Sequence, residues 1–209
     1  SNIGIMKSYF WMVMAALICI SCSSGPDATK TEFSSDEQTV AAENLIKRVV
    51  GKKADAFKVS ILPSEGKDWF SYSSDGKKIL LEGNNGVSIA SALRQYLSDY
   101  CAWQRTWCGS TENLPDPLPL PESKVKKTSP YKWRYYLNYC TFNYTMSWWD
   151  FDRWQKEIDF MAMNGINMPL AVTGQNSVWK RVYKSLGFSD EDLESFFSGP
   201  AYFNWFWMG

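Results

Sequence analysis

The order of elements after residue 130 constrains the fold of this chain more than any other feature of its sequence. Residues Trp133 to Cys140 form an apolar run with little polar interruption, which is typical of a parallel strand buried on both faces. A helix is predicted over Trp148 to Met163, with Gly165 just past its end. Residues Ile166 to Val172 are strand-like, and another helix follows. This strand–helix–strand–helix order with short loops predicts the opening of an α/β fold.

The number of residues left for this fold is small. A (β/α)8 barrel typically needs about 250 residues, whereas residues 131–209 supply 79. Two βα units can neither close a barrel nor bury both faces of a parallel sheet. We therefore interpret the chain as the N-terminal part of a longer protein.

A small α+β domain is predicted upstream, over residues 36–114. Apolar residues recur at helical spacing in two segments and alternate with polar residues in the strands between them. In chain order these are a helix over Asp36 to Gly51, strands at Phe57 to Ile61, Phe70 to Tyr72 and Ile79 to Leu81, and a helix over Ile89 to Tyr100. Prolines then alternate from Pro115 to Pro121, so residues 115–130 are predicted to form a stiff, extended, Pro-rich linker.

The N-terminus has the features of an export signal. Lys7 is followed by twelve uncharged residues, 9–20, too few to span a bilayer and typical of a signal-peptide core. The next residues resemble the lipobox of bacterial lipoproteins. We predict that residues 1–22 are a lipoprotein signal with lipidation at Cys22, and that residues 23–35 are a polar tether. The chain is expected to be exported and lipid-anchored to the bacterial envelope, at the periplasm or cell surface; the alternative is a plain cleaved signal and secretion.

Composition excludes several classes of function. Lys plus Arg and Asp plus Glu number 22 each, so the net charge is zero, which argues against a nucleic-acid partner. The sequence has no histidine, which removes the Ser-His-Asp triad, the Cys-His pair and His-ligated zinc. We predict no metal and no cofactor. The many aromatic residues suit sugar faces and protein cores equally. Whether Cys101 and Cys108 form a disulfide stays open, because spacing alone does not give the geometry.

The second half of the chain resembles a known family in eleven ordered blocks. These are Arg134 to Thr141, Tyr144, Trp148 to Asp150, Arg153 and Trp154, Glu157 to Asp159, Met161 to Asn167, Gly174 and Gln175, Trp179, Arg181 to Tyr183, Gly199 to Ala201, and Trp205 to Gly209. They resemble the alpha-N-acetylglucosaminidase family, glycoside hydrolase family 89. The resemblance implies a small α/β domain before a (β/α)8 TIM barrel. It also implies hydrolysis of terminal, non-reducing alpha-linked N-acetylglucosamine with retention of configuration.

The resemblance implies substrate-binding roles for five residues: Asn138, Cys140, Tyr144, Trp205 and Met208. Spacing draws attention to two of them independently, since Asn138 and Cys140 are two apart at the end of a predicted strand. Their side chains would then share the face where barrels carry their active sites. Asn138 can hydrogen-bond sugar hydroxyls, and Trp205 can stack on the pyranose ring. The alternative is that Cys140 and Met208 fill the core and Asn138 satisfies backbone groups.

The catalytic residues are expected beyond Gly209. The resemblance implies two glutamates on later barrel strands, and a retaining mechanism holds two such carboxyls about 5–5.5 Å apart. The acidic pairs present, Asp150 with Asp152 and Glu157 with Asp159, are interpreted as structural, because residues two apart on a helix face different ways. We therefore expect the 209 residues alone to be inactive.

A different class of function remains open. The chain would in that case be a lipid-anchored carbohydrate-binding protein without catalytic activity, with Tyr144, Trp205 and Trp207 as its stacking platform. The unfinished barrel argues against this reading, because two βα units leave parallel-strand edges exposed.

Overall fold

The computed structural model describes residues 33–64, 66–199 and Tyr202, which form a mixed α/β fold. The elements of the first half are α1 (Ser35–Val50), a 3-10 helix (Gly51–Ala56), β1 (Phe57–Ile61), β2 (Trp69–Ser74), β3 (Ile79–Gly83), α2 (Gly86–Cys101), β4 (Gln104–Arg105), β5 (Ser110–Thr111) and β6 (Val125–Thr128). Four of these strands form a sheet in the order β1–β3–β2–β6, in which β1 and β3 are parallel and β2 is antiparallel to both of its neighbours.

The main core of this half lies between the sheet and the two helices. Helix α2 is apolar at the spacing that places one stripe against the sheet, and Asn85 caps its N-terminus by accepting a hydrogen bond from the Ser88 amide at 2.8 Å. The helices and strands predicted here are confirmed. The most buried residues of this core are Ile79, Leu81, Ile89, Ala90, Ala92, Leu93, Tyr96 and Leu97.

The Pro-rich segment 115–130 differs from its prediction as a linker. Leu118 is buried, and the Tyr96 hydroxyl donates a hydrogen bond to the Pro119 carbonyl at 2.8 Å. Residues 125–128 then form β6, the edge strand next to β2. Alternating prolines predict an extended backbone but not the surface on which it packs. This segment is therefore part of the first domain's structure, and the exact domain bounds stay a prediction.

Up to residue 199, the second half contains a βαβ unit followed by two helices. Strands β7 and β8 are parallel, with Tyr135 opposite Met168. The elements are β7 (Tyr135–Tyr136), α3 (Tyr139–Asn143), a 3-10 helix (Met146–Trp148), α4 (Phe151–Met163), β8 (Met168–Pro169), α5 (Gln175–Ser185) and α6 (Asp190–Phe196). Across the described part of the chain, we find no helix with the length and apolar character needed to cross a bilayer.

Both strands of this unit are shorter than predicted. The apolar run from Trp133 to Cys140 was expected to be a single strand, but Leu137 adopts a positive φ of 76° and ends β7. Helix α4 begins at Phe151, three residues later than predicted, because Asp150 is its N-cap and accepts a hydrogen bond from the Arg153 amide at 2.9 Å. Apolar residues alone do not separate a strand from a strand followed by a short helix.

Candidate sugar-binding site at the end of strand β7

Asn138 lies two residues after the last residue of β7, at the end of the strand where parallel barrels carry their active sites. It is the N-cap of α3, and its side-chain oxygen accepts hydrogen bonds from the Thr141 amide at 3.1 Å and from the Thr141 hydroxyl at 2.9 Å. The side chain is exposed. Within the described residues its amide nitrogen has no partner, so this group is free to donate hydrogen bonds to a ligand.

The prediction that the side chains of Asn138 and Cys140 share one face of a strand is wrong. The strand ends at Tyr136, Asn138 caps a helix, and Cys140 is the second residue of that helix with a half-buried, unpaired thiol. The alternation of a strand therefore does not apply to the two side chains. Asparagine is a preferred N-cap residue, and this preference was the signal for the helix start.

The other predicted pocket residues are only partly described. Tyr144 follows α3 and is 66% exposed, so its ring is available for stacking on a ligand. Trp205 and Met208 lie outside the described residues. The structure thus places Asn138, Cys140 and Tyr144 in one short segment after β7, and the pocket role of all five stays a prediction.

A cavity of about 390 Å³ adjoins Asn138. It is lined by Trp107, Tyr135, Tyr136, Leu137, Asn138 and Thr141. Trp107 belongs to the loop between β4 and β5, so the first domain contributes a wall to this cavity. The sequence offered no signal for this, because the loop has no periodic pattern and lies about 30 residues before Asn138 in the chain.

Two acidic residues of α4 are almost completely buried. Glu157 is 1% exposed and accepts hydrogen bonds from Trp107 Nε1 and from the Tyr136 hydroxyl, both at 3.2 Å. Asp159 is 4% exposed and is held by Arg48 of α1 through two hydrogen bonds of 2.7 and 2.8 Å. The two carboxylates contact different neighbours, which agrees with their interpretation as structural. Sequence reasoning missed their burial, because charged residues are rarely buried.

The phenol of Tyr136 reflects this burial. Removal from water and the neighbouring Glu157 carboxylate raise the pKa of Tyr136 to about 12. Tyr136 therefore stays protonated at neutral pH and donates a hydrogen bond to Glu157.

Arg134 connects the start of β7 to the first domain. Its guanidinium pairs with Asp68 at 2.5 Å and donates hydrogen bonds to the backbone carbonyls of Gly165 and of Tyr131, the latter at 2.9 Å. The Arg134 amide also donates to the Asn167 side chain at 2.8 Å. Hydrogen bonds thus hold β7 on both sides, through Arg134 next to its start and through the Tyr136 hydroxyl at its end.

The cysteines and acids show no metal centre in the part that the structure describes. No group of three or more Cys, Asp or Glu side chains there could hold a metal ion. Cys101 is buried with its thiol 3.9 Å from the Tyr96 hydroxyl, whereas Cys108 is exposed, and the two are not bridged.

Two family models match the chain. The alpha-N-acetylglucosaminidase N-terminal domain matches residues 40–120, and the alpha-N-acetylglucosaminidase TIM-barrel domain matches residues 134–209. Human alpha-N-acetylglucosaminidase is 39% identical over 178 residues, which are 82% of this chain and 24% of the human protein. The chain therefore spans about a quarter of the length of this curated relative.

Solved structures give the same result. A family 89 glycoside hydrolase from Clostridium perfringens in complex with 2-acetamido-1,2-dideoxynojirmycin superposes with a TM-score of 0.78 at 39% identity, over 86% of this chain and 21% of that one. A variant from the same organism with two glutamates replaced by glutamine, in complex with its substrate GlcNAc-alpha-1,4-galactose, gives 0.76 at 41% identity, over 83% and 20%. The predicted fold class is confirmed, and the chain belongs to the alpha-N-acetylglucosaminidase family, glycoside hydrolase family 89, with the N-terminal domain and the start of the TIM-barrel domain.

Proposed function

We propose that this chain is part of a glycoside hydrolase that removes terminal, non-reducing alpha-linked N-acetylglucosamine with retention of configuration. Its own contribution is part of the sugar pocket. The observation that carries this proposal is the amide nitrogen of Asn138, which has no partner among the described residues and lies beside a cavity at the end of the first barrel strand. A sugar hydroxyl accepts hydrogen bonds from such a group, and Tyr144 nearby in the chain offers an exposed ring.

The reacting carboxyls are proposed to come from outside residues 1–209. In a retaining glycosidase one carboxylate attacks the anomeric carbon while a second carboxyl protonates the leaving oxygen. The bacterial relative was obtained with its substrate when two of its glutamates were glutamine, which fits a mechanism with two such groups. The buried acids of α4 do not suit this task, since Glu157 and Asp159 are engaged by the donors described above.

The activity is tested on the protein that contains this chain, expressed from its complete gene. We expect release of 4-nitrophenol from the aryl alpha-glycoside of N-acetylglucosamine and none from the beta anomer. Proton NMR during the first turnovers should show the alpha anomer of the free sugar, because retention preserves configuration. An initial beta product would overturn retention. Sugar binding without hydrolysis would favour the carbohydrate-binding alternative.

Export and lipid anchoring through Cys22 are proposed on the sequence alone, because Cys22 lies outside the described residues. A single acyl chain binds a membrane only weakly, so stable anchoring requires more than one chain. We expect the wild-type protein to fractionate with membranes and the Cys22→Ala variant to appear in the soluble or secreted fraction. Equal membrane association of both would contradict lipidation at this residue.

A further inference from the structure

Glu157 is a buried acid that the proposed catalytic chemistry does not use. Its side chain is 1% exposed in the middle of α4. Burying a carboxylate in this way costs free energy unless hydrogen bonds compensate for the lost water. Three donors from three parts of the chain converge on it. The cost of burying Glu157 is therefore offset by contacts that join separate elements.

Two of the three donors connect the first domain to the strand that precedes the sugar pocket, and the third, Arg153, lies on α4 itself. Oxygen Oε1 accepts from Trp107 of the β4–β5 loop and from Tyr136 of β7, while Oε2 faces Arg153 Nη1 at 3.3 Å. Arg153 also lies 3.8 Å from the centre of the Trp149 ring. Trp107 lies edge-on to Trp149, so its indole is held at two points.

Tyr136 is two residues before Asn138, and Trp107, Tyr136 and Asn138 line the same cavity. A shift of Tyr136 would therefore move the backbone that positions Asn138. We propose that Glu157 is a positioning residue for the sugar pocket, which holds the end of β7 at a set distance from Trp107 of the first domain. This inference rests on the proposed function, because it takes Asn138 as a sugar ligand.

Asp159 provides a matched control on the same helix. It too is buried and joined to the first domain, through Arg48, but neither partner contacts β7 or the cavity beside Asn138. If joining the two domains were all that mattered, Asp159 and Glu157 variants would have the same effects.

The test measures kcat, KM, the inhibition constant of free N-acetylglucosamine and the melting temperature on the full-length enzyme. Tyr136→Phe removes one donor and keeps the ring, whereas Trp107→Phe removes the indole N–H and leaves a smaller aromatic ring. Each should raise KM and the inhibition constant about threefold to tenfold, the worth of one hydrogen bond. Glu157→Ala leaves all three donors unmatched and should raise KM and the inhibition constant more than about tenfold, whereas Glu157→Gln keeps an acceptor oxygen and should restore most of the loss. Asp159→Asn should lower the melting temperature and keep KM within about twofold.

An Asn138→Ala variant separates this inference from the proposed function. If Asn138→Ala raises KM but the Trp107, Tyr136 and Glu157 variants change only the melting temperature, the positioning role is wrong and the pocket stands. If Asp159→Asn raises KM as much as they do, the effect is general domain docking and the positioning role is again wrong. If Asn138→Ala leaves KM unchanged, Asn138 is not a sugar ligand and the inference falls with it.

Discussion

Replacing Asn138 by Asp in the full-length protein is expected to lower kcat/KM about ten- to a hundredfold with a nearly unchanged melting temperature. Aspartate is as good an N-cap as asparagine, so the hydrogen bonds from Thr141 to the side-chain oxygen persist. The variant lacks the amide donor, and a lost hydrogen bond to a substrate hydroxyl costs about 1–3 kcal/mol, where each 1.36 kcal/mol is a factor of ten. Steady-state kinetics and thermal unfolding on one preparation check both expectations.

Two further variants make this experiment decisive. Asn138→Ala removes the cap and the donor together, so it should lose activity and also some stability, about 1 kcal/mol for the cap. Asn164→Ala is the matched control, because Asn164 is the exposed C-cap of α4 and its side chain donates a hydrogen bond to the Phe160 carbonyl. An Asn138→Asp variant of normal activity would remove Asn138 from the pocket.

The Arg134→Met variant is expected to lose about 2–4 kcal/mol of unfolding free energy, somewhat less than is usual for fully buried ion pairs. The Arg134 side chain is 17% exposed and its partner Asp68 is 23% exposed, so the pair is only partly shielded from water. The substitution leaves the Asp68 carboxylate without its cation and the carbonyl of Gly165 without its donor. Denaturant unfolding measures the loss. Lys184→Met is the control, since its pair with Asp190 lies at the surface and should contribute little to stability.

The unfolding free energy that Arg134→Met loses should depend on pH. Burial by itself raises the pKa of Asp68, but hydrogen bonds from Asn84, Arg134 and Asn85 outweigh it and hold this pKa below its ordinary value of 3.8. Because the folded-state pKa is the lower one, the stabilisation is present above the ordinary value and is lost as pH falls through the folded-state pKa. The difference in unfolding free energy between wild type and Arg134→Met should therefore shrink below about pH 4. A difference that stays constant into acid would contradict the ion pair's role.

The first domain was largely predictable and the site was not. Apolar spacing alone identified α1, α2 and the first three strands, because each element buries one regular face against one core. In the second half the same reasoning made β7 too long, since capping by Asn138 and the positive φ of Leu137 are individual events within an apolar run. The family resemblance and its spacing from Cys140 pointed to Asn138, whereas only the structure shows that its side chain caps a helix.

The contacts around Glu157 could not be predicted from sequence. Its partner Trp107 is 50 residues away in the chain and lies in a loop without periodicity. A charged residue on an amphipathic helix is normally solvent-facing, so pattern reasoning assigns it to the surface. Long-range hydrogen bonds between single side chains leave no local signal.

The ties between the two halves also bear on the order in which the chain folds during synthesis. Arg48, Asp68 and Trp107 all precede β7 in the sequence; Asp68 binds Arg134 directly before β7, and Arg48 and Trp107 bind residues of α4. Translation delivers the first domain before any barrel strand, and domains generally fold in that order as they emerge. We expect the first domain to act as a template at the ribosome, a folded surface that accepts the first barrel strand and helix before their later neighbours have been synthesised.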